Sequence, residues 1–346
     1  MGSEFGKLLR VSLFGESHGP AVGVLLDGLP AGEMIDPEAL QRFLERRRPG
    51  RDDLSTARRE PDRPRFLSGI KDGRTNGSPL CAVIENTDVR SADYRALADT
   101  PRPSHADYTA RLRWGEGADL RGGGHLSGRL TAPLCLAGAI AGQILARRGI
   151  HIGAHLASVA DICDEPFPLW PTGQLFKELA EKPFPVLDEG KGRQMQERIR
   201  EAAAQADSVG GVVECAATGM PAGLGAPRFG GVESRLAAAL FGIPALKGLE
   251  FGSGFAGAGL RGSQNNDPFT VDKRGAITVE SNRSGGVLGG ITSGAPLLFR
   301  VAFKPTPSIG LPQQTVSLSR LEPETIVIGG RHDPCIAHRA VPVVEA

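Results

Sequence analysis

The 346 residues suffice for one large domain or two ordinary ones with a substantial core, so no disulfide or metal staple is required. Forty basic residues against 39 acidic ones leave no global field to draw the chain to nucleic acid or an anionic membrane, so any anion binding is local. Five scattered cysteines, Cys81, Cys135, Cys163, Cys215 and Cys335, form no Cys-x-x-Cys pair, which argues against a disulfide framework or zinc site and for a reducing, cytoplasmic setting.

In chain order, no basic segment precedes an apolar run at the N-terminus, so no secretory signal is expected. Residues 8–14 and 21–26 read as strands flanking the turn Gly15-Glu16-Ser17-His18-Gly19-Pro20. A helix is expected over residues 37–48, with Asp36 as cap, Pro37 in the first turn and Leu40, Phe43 and Leu44 on one face. Its terminal Arg46-Arg47-Arg48 complements the helix dipole, and because successive residues point about 100° apart the three cannot all face one ligand. Residues 51–64 are charged and unpatterned, the signature of a surface loop.

Residues 79–85 and 150–159 read as strands, and residues 100–108 as a loop carrying His105. Gly122-Gly123-Gly124 precedes an apolar helix ending near Arg148; with Pro133, Gly138 and Gly142 inside, it reads as a core helix rather than a membrane span. A charged helix is expected over residues 191–206. The run Val24-Leu25-Leu26-Asp27-Gly28-Leu29-Pro30-Ala31-Gly32 is echoed by Cys215-Ala216-Ala217-Thr218-Gly219-Met220-Pro221-Ala222-Gly223, each followed by a helix. The echo suggests a single domain of two related halves, about residues 7–160 and 205–346, meeting at a site.

Residues 267–339 join Asn282-Arg283-Ser284-Gly285-Gly286, Gly289-Gly290-Ile291-Thr292-Ser293-Gly294, Lys304-Pro305-Thr306-Pro307-Ser308 and Gly329-Gly330-Arg331-His332-Asp333-Pro334. Glycines admit backbone N–H groups close to an anion, and Lys, Arg, Ser and Thr add charge and oriented donors, so together these clusters read as a site for a phosphate-bearing ligand. Singly, each reads as a turn. No cluster fits a P-loop or a strand-linked Gly-x-Gly-x-x-Gly, which excludes an ATPase loop and a Rossmann fold. His18 and His105 sit in loops beside glycines and suit proton transfer near neutral pH, whereas Ser127 and Arg129 open the apolar helix, where an anion meets free N–H groups.

Seven motifs in order, Gly15-Glu16-Ser17-His18-Gly19, Arg46-Arg47-Arg48-Pro49-Gly50, Arg102-Pro103-Ser104-His105-Ala106-Asp107-Tyr108, Asp207-Ser208-Val209-Gly210-Gly211, Gly262-Ser263-Gln264-Asn265-Asn266-Asp267, Lys304-Pro305-Thr306 and Gly330-Arg331-His332-Asp333-Pro334-Cys335, resemble the chorismate synthase family. The resemblance implies an α+β fold, a helical layer sandwiched between antiparallel β-sheets with an internal duplication, assembled as a homotetramer. It implies a lyase that converts 5-enolpyruvylshikimate 3-phosphate to chorismate and phosphate by 1,4-anti elimination. The reaction depends on reduced FMN (FMNH2), supplied by an external flavin reductase or another source.

By position, the resemblance implies His18 and His105 as acids and Asp333 as the acceptor of a proton from flavin N5. It implies Arg47, Arg48 and Arg129 as substrate-anion ligands, and His125, Ser127, Ala245, Gly289, Lys304, Thr306, Ser308 and Arg331 as flavin contacts. The chain differs from the common pattern at His125-Leu126, Asp53 and Pro307, and ends at Glu345-Ala346, short of a further C-terminal helix expected of the family. Two other readings are weaker: a redox flavoprotein lacks a nucleotide fingerprint, and an RNA- or polyphosphate-binding face at residues 46–59 is interrupted by Asp52, Asp53 and Glu60 and lacks interleaved aromatics.

Overall fold

The computed structural model describes residues 2–50, 53–56, 58–88, 99–273, 275–329 and 332–346; Arg331 lies outside them. In chain order, β1 (Glu4–Phe5), β2 (Arg10–Gly15) and β3 (Ala21–Asp27) lead into α1 (Pro37–Arg47), and β4 (Pro64–Ser68), the hairpin β5 (Ile70–Lys71) and β6 (Arg74–Thr75), and β7 (Leu80–Glu85) follow. Next come α2 (Asp107–Trp114), α3 (Thr131–Ala146), β8 (His151–Val159), β9 (Ile162–Cys163), α4 (Gly173–Glu181), α5 (Glu189–Ala204) and β10 (Gly211–Thr218). The remainder comprises α6 (Val232–Leu240), β11 (Leu246–Phe251), α7 (Gly262–Asn265), hairpins β12 (Phe269–Val271) to β13 (Ile277–Val279) and β14 (Val287–Leu288) to β15 (Ile291–Thr292), β16 (Leu297–Phe303), hairpin β17 (Gln313–Ser317) to β18 (Glu322–Ile326), and α8 (Ala337–Glu345).

Two five-stranded antiparallel sheets, ordered β1-β2-β3-β7-β4 and β11-β16-β10-β8-β9, enclose the helices α1, α3 and α8. β3 shows why: Val22, Val24 and Leu26 are buried and alternate with the outward Leu25, the period of a strand with one covered face. α1 starts where Asp36 accepts from the N–H groups of Glu38 and Ala39, and it buries Leu40 and Leu44. α3 packs against β3 and β7, α8 packs against β8 and β10, and all three helices touch one another. This is the expected α+β sandwich. The stretch Arg121–Ala146 is long and apolar enough to cross a membrane by length and composition, yet Leu136 and Ile140 on it are fully enclosed in the core.

The sheets share one wiring. β3 lies between β2 and β7 with β4 beyond; β10 lies between β8 and β16 with β11 beyond. The following turns also match: Gly32 N donates to Thr75 O (2.7 Å) while Thr75 Oγ1 donates to Pro30 O (2.6 Å). Likewise Gly223 N donates to Thr292 O (2.9 Å) and Thr292 Oγ1 to Pro221 O (2.7 Å). The boundaries differ from expectation. β8, placed by sequence in the first half, pairs with β10 along its length in the second sheet, so the sheets divide near residue 150 and residues 160–205 are an excursion between two partners.

That excursion is pinned by a buried imidazole. His155, fully buried on β8, lies 3.0 Å from Asp164 through Nδ1 and 3.1 Å from Glu214 through Nε2. Asp164 also accepts from Leu187 N and Asp188 N, and Glu214 from Phe167 N. Burial disfavours the charged ring, but the hydrogen bonds to Asp164 and Glu214 outweigh it and raise its pKa. A raised pKa means that this stabilisation is complete below the unfolded value of 6.5 and lost as pH rises through the folded value. We therefore expect urea stability of the wild type to decline above neutral pH relative to His155→Asn. Parallel pH profiles would show that the ring is not charged in the fold.

Candidate functional site

A cavity of about 1320 Å³ opens between segments of both sheets. Its walls come from the β2–β3 turn, the end of α1, the 102–106 loop, the glycine run before α3, residues 238–247, residues 303–308 and the start of α8. Single ligand pockets are commonly about 300–1,000 Å³, so there is room for two small molecules. Among the described residues, Arg47, Arg58, Arg102, Arg113, Arg129, Lys247, Lys304 and Arg339 line it against Glu4, Glu60, Asp88 and Asp333. A nearly neutral chain thus has a locally cationic cavity.

The floor is an ionic network. Asp62, with no exposed surface, accepts from Arg47 Nη1 (2.7 Å) and also from Arg129 Nη1. Arg129 Nε donates to Asn86 Oδ1 (2.8 Å), and its Nη2 lies 3.8 Å from Glu60. Glu60 holds Arg58 (2.8 Å), whose Nη1 and Nη2 donate to Ser17 Oγ and Ser17 O beside His18. Burial pushes the Asp62 and Glu60 carboxyls up, but the surrounding guanidinium charges and hydrogen bonds hold both below the usual range. The segment expected as a surface loop is therefore buried at Leu54, Glu60 and Asp62, because its charges find partners on α1 and before α3.

The two predicted acids converge on the glycine run. A Cβ on Gly122 would lie 2.6 Å from the His18 ring, and one on Gly123 would lie 3.6 Å from His105 Cε1. Gly122, Gly123 and Gly124 all have positive φ, which a side chain would strain as well as crowd. Consecutive residues thus seat both imidazoles. His105 Nδ1 lies 2.7 Å from Asp107 Oδ1, and Arg102 grips Asp107 through Nε (2.7 Å) and Nη2 (2.8 Å). Burial raises the Asp107 carboxyl pKa, but hydrogen bonds from Arg102 and His105 outweigh it and keep the group ionised.

Asp333 lines the cavity, accepts from Thr56 N (2.9 Å) and meets Arg339 Nη1 at 2.8 Å through both oxygens. Burial opposes its charge, but Arg339 and the Thr56 N–H hold the pKa low, so the carboxyl is kept ionised. Beside it His332, which lines the same wall, is pushed down in pKa by burial.

Among the expected flavin contacts, Ser127, Ala245, Lys304, Thr306 and Ser308 line the cavity. Thr306 Oγ1 is buried with no hydrogen-bond partner among the described residues, Ser308 Oγ accepts from Arg102 Nη1 (3.2 Å), and Lys304 Nζ donates to Ser104 O. Burial and the nearby Lys247 lower the Lys304 pKa. His125 also lines the cavity, but Gly15 O takes its Nδ1–H (2.8 Å) and Ser3 Oγ meets its Nε2 (2.6 Å).

Two predicted residues are elsewhere. Gly289 sits in the β14–β15 turn with open space beside it, outside the cavity lining. Arg48 lines a smaller pocket with Lys182 and His338, whereas Arg46 turns to Glu345 on α8 (2.5 and 2.7 Å). Arg46 borders that smaller pocket too, so of the three consecutive arginines Arg47 alone lines the large cavity. Sequence reading passed over Arg58, Glu60, Asp62 and Arg339; Arg102 and Asp107 stood inside a quoted motif without an assigned role.

Two substitutions probe this geometry. Asp62→Asn leaves two buried guanidinium groups short of charge and should cost about 3–5 kcal/mol by urea unfolding; a loss under about 1 kcal/mol, the level of a surface pair, would mean that the network is solvated. Gly122→Ala should displace His18 and lower turnover at least about tenfold while leaving the fold cooperative, given the cost of misplacing a reacting group. Unchanged turnover would show that the histidine does not need that seat.

The sequence model of the family described as chorismate synthase matches residues 9–346. The chorismate synthase of Lancefieldella parvula is 45% identical over 358 residues, spanning 100% of this chain and 94% of the relative. That of Thermococcus kodakarensis is 49% identical over 342 residues, spanning 99% and 94%. A crystal structure of chorismate synthase superposes with a TM-score of 0.76 at 26% identity, covering 98% of this chain and 88% of the other.

Proposed function

The chain belongs to the chorismate synthase family, and on that premise we propose that it eliminates phosphate from 5-enolpyruvylshikimate 3-phosphate to give chorismate, using reduced FMN without net redox change. It is an enzyme, a carbon–oxygen lyase acting on a phosphate. The observation that carries the detailed reading is one cationic cavity of about 1320 Å³ with His18 and His105 seated on adjacent glycines. It is large enough for two anionic molecules with proton donors between them.

The residues fit a flavin mononucleotide. The orphaned Thr306 hydroxyl, Ser308 and Lys304 are the donor types a phosphate and a polar ring edge require. Reduced flavin, when bound, lends electron density as phosphate departs and takes up the departing hydrogen. Arg47 and Arg129 hold substrate anions; among the described residues, their network with Arg58 has three guanidinium groups for two carboxylates, a surplus of positive charge suited to an anionic ligand. His18 and His105 are the proton donors of the cavity, for the leaving phosphate and for a reduced ring that would be bound beside it, and ionised Asp333 would be the proton acceptor.

Assembly as a homotetramer agrees with the exposed Phe229, Phe255 and Phe269 of the second half. A cytoplasmic enzyme fed by an external flavin reductase agrees with the balanced charge and free cysteines, and neither nucleic acid nor a membrane is required.

The test is anaerobic turnover of 5-enolpyruvylshikimate 3-phosphate with reduced FMN, with oxidised FMN and with none, following chorismate and phosphate together. Equal amounts of both products only with reduced FMN are expected; product without flavin would overturn the reading. His105→Ala should lower turnover roughly 10²–10⁴-fold with flavin binding nearly intact. Lys304→Ala should weaken flavin binding by about 1.5–3 kcal/mol, the worth of a hydrogen bond to a charged group, and an unchanged affinity would remove that role.

A further inference from the structure

Resting on the acid role of His105, we propose that Asp107 is its positioning residue, fixing the Nδ1–H tautomer so that the proton given up by the imidazolium leaves from Nε2. The first observation is distance. Nδ1 and Asp107 Oδ1 are 2.7 Å apart, so a hydrogen lies between them. The second is what else Asp107 accepts: Arg102 Nε (2.7 Å) and Arg102 N (3.2 Å) on Oδ2, and Arg102 Nη2 (2.8 Å) on Oδ1. A carboxyl accepting on both oxygens from a guanidinium is a carboxylate, and the shared hydrogen therefore belongs to the ring. Arg102 Nη2 also lies 3.1 Å from Nδ1, but a protonated nitrogen cannot accept from it, so its hydrogen goes to Asp107.

The consequence is directional. With Nδ1 committed, Nε2 is the free end, and a Cβ on Gly123 would stand 3.7 Å from it. In the imidazolium, the proton leaves Nε2 for its acceptor and the bonding pair stays on Nε2. The ring returns to the neutral Nδ1–H form without turning, and Asp107 stays ionised throughout. Arg102 balances the Asp107 charge and, through Nη1 to Ser308 Oγ (3.2 Å), ties the acid to the 304–308 segment. The simpler account is that Asp107, at the first position of α2, serves only the helix dipole and Arg102. That account predicts no effect on the ring's tautomer.

The test is imidazole ¹⁵N NMR on the full chain, with the His105 signals assigned by their loss in His105→Ala. The wild type should show a protonated Nδ1 in the neutral ring. Asp107→Asn, whose amide can donate to Nδ1, should move the hydrogen to Nε2 and lower turnover roughly 10²-fold, with flavin affinity held within about twofold. In the His105→Ala background, Asp107→Asn should change turnover by no more than about twofold. A neutral wild-type ring protonated on Nε2 would overturn the proposal, as would an equal loss from Asp107→Asn with and without His105. The wild-type spectrum decides the tautomer even where the variant fails to fold. A wild type that makes no chorismate would overturn the proposed function instead, leaving the spectrum to judge Asp107.

Discussion

One carboxylate shared by two buried arginines sets the terms for the rest of the structure. Asp62 sits between Arg47, at the end of α1, and Arg129, just before α3, and it holds a positive φ to do so. Arg129 also reaches Asn86 and the carbonyl of Glu85 at the end of β7, so one ionic knot fixes two helices against the first sheet. Such a knot is a poor investment for stability alone, since replacing a whole buried ion network with apolar groups is often neutral or stabilising. Its distinguishing property is an uneven count: among the described residues, Arg47, Arg58 and Arg129 pair with two carboxylates, Glu60 and Asp62. The surplus charge is held rigidly at the floor of a cavity where an anion would complete it.

Around that floor, the halves make different contributions. The first brings His18, Arg47, His105 and Arg129; the second brings Ala245, Lys304, Thr306, Ser308 and Asp333. Contacts across the seam, Arg102 to Ser308 and Lys304 to Ser104, bind the histidine loop to the segment rich in phosphate donors. The glycine run does the complementary work. By presenting backbone without side chains, it lets two imidazoles approach one surface, which fixes their mutual placement more firmly than loops would allow.

Much of this was legible in the sequence where the signal is local. Asp36-Pro37 marks the start of α1, alternation marks β3, and histidines between small residues mark ligand-facing loops. The echo around Gly28 and Gly219 corresponds to two turns with the same hydrogen bonds. What escaped depends on distant partners. Glu60 and Asp62 stand in a charged, unpatterned stretch, and their burial rests partly on distant partners: Arg47 on α1 and Arg129, 67 residues beyond Asp62. β8 looks like a continuation of the first half until its pairing with β10 is known, and no pattern reveals that His155 is buried between two carboxylates. Arg47 and Arg48 read alike in sequence, yet helical rotation sends them to different pockets.

The central claim is that the cavity holds flavin and phosphorylated substrate together, each by its own residues. Calorimetric titration of 5-enolpyruvylshikimate 3-phosphate into the chain, empty and then saturated with FMN, tests it most directly. The account predicts one substrate and one flavin per chain bound at once, with substrate affinity at least as high in the flavin-loaded protein. Competition between the two, with either displacing the other, would contradict it.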